Sequence, residues 1–130
     1  MTPLLPEGWP RPSGYSNGTA AEGRMVFVAG QVGWDTAGNF PDSFIDQFEQ
    51  TLRNTVAVLK AGGAGPEHVT RMTWYVTDLD EYRAAVPHLG HAYRTHMGKV
   101  FPAMAVVGVS GLVEPKAKLE IESTAVSPID

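Results

Sequence analysis

Phe101-Pro102-Ala103-Met104-Ala105-Val106-Val107-Gly108-Val109, and after it Leu119-Glu120-Ile121-Glu122-Ser123-Thr124-Ala125, are two runs of opposite pattern near the end of a 130-residue chain. From Pro102 to Val109 every position is apolar, which predicts a central strand covered on both faces or lining an interface. From Lys118 to Val126 the pattern alternates. Leu119 and Ile121 fall on one face while Lys118, Glu120, Glu122 and Thr124 fall on the other, so a strand with an acidic face is expected.

Working back from these runs, Val69 to Thr77 sets Met72, Trp74 and Val76 against Arg71, Thr73, Tyr75 and Thr77, a period of two that predicts a strand with one side toward the core. Between this strand and Phe101, Asp78 or Asp80 caps a helix running to about Met97, with Tyr82, Val86, Leu89 and Tyr93 on its inner face. Pro87 lies inside that span and predicts a kink or a split into two shorter pieces, because it removes a backbone donor and clashes one turn back. Further back, Ser43 with Asp46 opens a helix to Ala61 whose apolar stripe is Phe44, Phe48, Leu52, Val56 and Leu59. Gly62-Gly63 ends it. Arg24 to Gln31 holds the β-branched run Met25 to Ala29 closed by Gly30, which predicts a strand buried on both faces. Gly33 to Asn39 is a glycine-punctuated turn. Residues 1–14, with prolines at 3, 6, 10 and 12, form an extended lead-in.

The order is therefore β, α, β, α, β, β: a single α+β domain over residues 1–130, with two helices on one face of a mixed sheet. The other face has no helix to cover it, and such a face usually meets another subunit. Self-association follows as an expectation.

Composition bounds the function. The chain is 43% hydrophobic and 18% charged, within the globular range, and its formal net charge is -4. The ten Lys and Arg are scattered, which argues against nucleic acid as a partner. There is no cysteine, so disulfides, thiol nucleophiles and thiolate metal sites are excluded. The proline-broken N-terminus lacks the apolar core of a signal peptide, and no segment supplies a membrane span. Cytoplasm is the expected location, with no membrane partner.

Several motifs invite chemistry. His88 and His91 stand three apart on one helical face, but a metal site needs a third ligand, and solvated surface histidines are the plainer reading; no metal and no cofactor are expected. Gly30-Gln31-Val32-Gly33 and Gly62-Gly63-Ala64-Gly65 match neither the dinucleotide fingerprint nor the phosphate loop. Ser110-Gly111 lacks the strand-to-helix context of a nucleophile elbow. Glu120 and Glu122 share a strand face about 7 Å apart, a separation able to hold a water, although two exposed carboxylates answering Lys118 have the same pattern.

The two opening runs together resemble the signature of the Rid family of imine and enamine deaminases, in which a strand opening Pro-Ala-Arg or Pro-Thr-Arg leads to a final strand of the form apolar-Glu-apolar-Glu. Gly14-Tyr15-Ser16 is similar to the family's Gly-Pro-Tyr-Ser, Phe27 to Gln31 to its Ser-Gly-Gln strand end, and Gln47 to Gly63, through Asn54, Leu59, Ala61 and Gly62, to its first helix. The resemblance covers about residues 14–126. It implies a chorismate-mutase-like α+β fold, a homotrimer whose sheets line a central barrel, and small-molecule clefts between subunits. The implied ligand-binding residues are Tyr15, Ser16, Gly30, Met104, Ala105 and Val106, with Glu120 as the catalytic residue.

One position departs from the pattern. In deaminating members the strand arginine grips the substrate carboxylate in a bidentate pair while the glutamate and a backbone carbonyl position the attacking water. Here that position is Met104, which neither carries charge nor donates a hydrogen bond. Val106 and Pro87 stand where the family often has cysteine and asparagine. An imine or enamine hydrolase of altered specificity is expected, with Arg71 or Arg94 as a candidate replacement cation. The alternative is a trimer that binds a small molecule without turnover. Ribonuclease activity is disfavoured by the acidic balance.

Overall fold

The computed structural model describes residues 1–129. Strands β1 (Thr2–Leu4) and β2 (Gly18–Ala20) are followed by β3 (Arg24–Gln31), helix α1 (Phe44–Ala61), a short 3-10 turn at Pro66–His68, β4 (Val69–Val76), helix α2 (Leu79–Met97), β5 (Ala103–Gly108) and β6 (Leu119–Ser127). The main sheet has the order β3-β6-β4-β5 and is mixed: β6 runs antiparallel to both neighbours, and β5 is parallel to β4. This is the expected α+β architecture. The lead-in is more ordered than expected, because β1 and β2 pair with each other in a second, two-stranded sheet. Three-residue strands with a proline in one of them carry no alternation long enough to see in the sequence.

Both helices lie on one face of the main sheet. Ser43 caps α1 by accepting from the Asp46 amide at 3.1 Å, which satisfies one of the free donors of the first turn and contributes about 1 kcal/mol. Phe44, Phe48, Leu52 and Leu59 are buried. Asp78 rather than Asp80 caps α2, its Oδ1 accepting from the amides of Asp80 and Glu81. Ala85, Leu89, Ala92, Tyr93 and Met97 form its inner face. Val86 is 48% exposed and does not belong to that face. Phe48 from α1 and Tyr93 from α2 both pack on Trp74 of β4, with ring centroids 5.0 and 6.2 Å away. Met72, Val76, Leu119 and Ile121 are fully buried beneath the helices.

The predicted interruption at Pro87 does not occur as a split, and α2 is continuous from Leu79 to Met97. Pro87 lies on the exposed side of the helix, where the carbonyl it leaves without a partner one turn back can meet water. Two strand expectations are also corrected. β3 is buried on one face only, with Val28 at 3% exposure but Met25 at 55% and Phe27 at 70%. β5 is an edge strand rather than a central one. Met104 and Val106 pair with the core-facing Met72 and Trp74 and pack against the core, so Ala103, Ala105 and Val107 face the side without helices.

Candidate functional site

Glu120 is the third of three residues in one row across the open sheet face: Tyr75 lies beside it on β4, and Val107 beside Tyr75 on β5. Its side chain rests on Gly30. A Cβ placed at Gly30 would lie 2.6 Å from Glu120 Oε2 and 2.7 Å from its Cδ. Gly30 falls where the β3–β6 pairing shifts register between Val28 and Gln31, and such a bulge re-aims the strand at its end. The bulge and the absent side chain together open the space that Glu120 fills, which brings these two sequence-predicted residues into one place.

The neighbouring carboxylate is engaged. The Tyr75 hydroxyl donates to Glu122 Oε1 at 2.5 Å. That bond, with partial burial and the charges of Glu122 and Glu120, raises the tyrosine pKa above its usual value because ionisation would set a phenolate beside two carboxylates. Glu120 makes no such side-chain hydrogen bond among the described residues and is half-buried.

Tyr15 and Ser16 are held against the start of β5. Ser16 pairs with Ala103 in a parallel bridge, its amide donates to the Pro102 carbonyl at 3.0 Å, and its hydroxyl donates to the Phe101 carbonyl at 2.6 Å. Ser16 is buried, whereas the Tyr15 ring is 40% exposed. This fastens the end of the lead-in to Ala103-Met104-Ala105-Val106, so Tyr15, Ser16 and β5 form a second group of predicted site residues.

The two groups do not meet within one chain. Met104 aligns with Met72 and Ser123 across the sheet, three residues from Glu120, or about 10 Å along the strand direction and about 10 Å across two strand spacings. Met104 also points to the helix side and Glu120 to the open side. Of the proposed cations, Arg71 is exposed on the open face, in register with Ala103 and Thr124, and lines a recess that includes Met104. Arg94 lies back over Gly90 on α2, 3.2 Å from where a Cβ there would sit, and lines none of the described recesses.

Two supporting residues were recognisable only as parts of a helix motif. Asn54 Nδ2 donates to the carbonyls of Val32 and Trp34 at 2.9 and 2.8 Å, fixing the segment that follows Gly30. Gln47, only 2% exposed, donates to the carbonyls of Pro41 and Lys116 and accepts from the Lys118 amide, fixing the segment that precedes Glu120. Arg11 and Lys99 drew no attention in the sequence, yet they line a cavity with Tyr15 and Ser16. His88 and His91 are exposed on α2, and no group of three His, Asp or Glu able to hold a metal forms among the described residues. Nor is any helix long and apolar enough to cross a membrane among them.

The chain is similar to known proteins in both sequence and fold. The model of the family described as endoribonuclease L-PSP matches residues 10–127. A RutC family protein of Pyrococcus horikoshii is 31% identical, over 94% of each chain. The 2-iminobutanoate/2-iminopropanoate deaminase of Escherichia coli is 33% identical over 80% of each. A Rid-family protein of unknown function from Yersinia pestis superposes with a TM-score of 0.80 at 31% identity, covering 96% of this chain and 97% of its own.

Proposed function

The chain belongs to the Rid/YjgF family, and from that premise we propose that it hydrolyses a reactive imine or enamine whose recognition does not depend on a cation at position 104. The reaction adds water across the C=N bond and releases ammonia, leaving a carbonyl. Glu120 accepts a hydrogen bond from the attacking water and draws off its proton as the oxygen bonds to the imine carbon. The observation that carries this proposal is the seat of Glu120. Gly30 clears space for it, Tyr75 occupies the other carboxylate, and no side chain among the described residues pairs with it.

In this proposal the site is an intersubunit cleft of a homotrimer, with Tyr15, Ser16, Met104, Ala105 and Val106 from one copy and Glu120 with Gly30 from the next. The opposed faces and the separation of Met104 from Glu120 support it, because one small molecule cannot touch both within a single chain. The open sheet face supports it as well. Met25 and Phe27 are 55% and 70% exposed there, and apolar surface of this kind is normally covered by another subunit. Met104 then forms an apolar wall suited to a larger or less charged substrate. The Escherichia coli relative is named for 2-imino acids, which carry a carboxylate; this chain is expected to handle them poorly.

Ammonia release from 2-iminobutanoate and from a panel of uncharged enamines tests the proposal. Wild type should accelerate at least one uncharged substrate, and Glu120→Gln should lose most of that acceleration, roughly a hundredfold if a general base is removed. Met104→Arg should raise kcat/KM on 2-iminobutanoate by roughly tenfold or more, the worth of a charge-assisted bidentate pair. No acceleration of any member of the panel by wild type would favour a trimer that binds without turnover. A wild-type rate on 2-iminobutanoate equal to that of the Escherichia coli relative would refute the role given to Met104.

A further inference from the structure

Beside the predicted site lies a cavity of about 590 Å³ between the lead-in and the segment that enters β5. Leu4, Leu5, Val100 and Phe101 give it much of its lining, together with Tyr15. Two cations, Arg11 and Lys99, also line it, and neither takes part in an ion pair among the described residues. The single carboxylate of the lining, Glu67, already has a partner: it lies 3.7 Å from His68 Nε2, and its oxygens lie against Gly65. A protein of net charge -4 thus lines a largely apolar cavity with two cations that form no ion pair among the described residues.

We propose that this cavity binds a small organic monoanion, a carboxylate with an apolar tail, with Arg11 and Lys99 holding the carboxylate and Leu4, Leu5, Val100 and Phe101 covering the tail. The guanidinium offers a planar fork and the ammonium a point charge, so one carboxylate can meet both. Four apolar side chains against two cations favour a singly charged amphiphile over a phosphate, which would need more donors and less apolar wall. Ser16 bridges to Ala103 at the start of β5, so this cavity lies beside the proposed cleft and is separate from it. The proposal does not rest on the imine or enamine reading, since binding a carboxylate requires no turnover.

Titration of the full-length protein with hexanoate, followed by amide chemical shifts in NMR spectra, tests the assignment. Saturable shifts should centre on Lys99 to Phe101 and Gly14 to Asn17. Arg11→Ala with Lys99→Ala should weaken binding about tenfold, the combined effect of two partly solvated charges. Both side chains are exposed, so the double variant should stay folded, and a control with Arg53→Ala and Arg83→Ala should bind as wild type. Hexanamide should bind at least severalfold more weakly than hexanoate. The assignment is overturned if hexanoate shifts no residue of the cavity, if the double variant binds it equally well, or if inorganic phosphate displaces it at equal concentration. Because hexanoate has no C=N bond, these outcomes are independent of whether any imine is turned over.

Discussion

Two glycines three residues apart, at the end of the chain's first long strand and at its exit, do different things. At Gly30 an added Cβ would meet the end of the Glu120 side chain at 2.6 Å, whereas at Gly33 it would meet the Gln47 backbone at 2.7 and 2.8 Å. A side-chain tip can rotate away, but helix backbone cannot. Gly30→Ala should therefore leave the fold within about 1 kcal/mol of wild type in urea unfolding, while ammonia release falls as far as in Glu120→Gln. Gly33→Ala should do the reverse, losing roughly 2 kcal/mol by forcing the strand exit away from α1. Full turnover in Gly30→Ala would mean that the position of Glu120 does not matter to the reaction. Met104 belongs to the same scale. Its thioether is half-buried and packs against the core, a place that an unbranched apolar side chain fills readily.

At the scale of elements, α2 carries a visible local conflict. Pro87 in a helix interior forfeits a hydrogen bond and costs about 3 kcal/mol relative to alanine in an isolated helix, yet the helix runs unbroken because its inner face, Ala85, Leu89, Ala92 and Tyr93, is anchored on the sheet. Pro87→Ala is expected to raise stability by roughly 1 to 3 kcal/mol, measured by urea unfolding; no gain would mean that the proline relieves some strain not evident in its exposed setting. The helices and β4 were legible in the sequence because each buries one face and so shows its period. β5 was misplaced for a physical reason. An edge strand that packs Met104 and Val106 inward and shows Ala103, Ala105 and Val107 outward has the same unbroken apolar run as a central one. β3 was misread in the same way, since Met25 and Phe27 look like core residues and are exposed. The β1–β2 ribbon is too short to carry a period at all. Of the site, Glu120, Gly30, Tyr15 and Ser16 could be named from motif resemblance. That Met104 and Glu120 point to opposite faces depends on register between distant strands, which spacing within one strand does not encode. Arg11 and Lys99 became visible only once the lead-in had folded back against Phe101.

At the scale of the molecule, one sheet face is covered by two helices and the other is not. The open face combines Met25, Phe27 and Val107 with small residues, Ala103 and Ala105, and with an Arg71 that has no ion pair among the described residues. Its apolar part is at the β3 edge, the kind of surface that another copy would cover in the proposed trimer. In the proposed trimer Glu120 of one chain meets the β5 edge of the next, so catalysis and assembly are a single claim. Light scattering at micromolar concentration tests it most directly. Three chains of 14.0 kDa predict a mass of about 42 kDa that persists on dilution; a mass near 14 kDa with ammonia-releasing activity intact would contradict it, because Met104 and Glu120 cannot share a substrate within one chain.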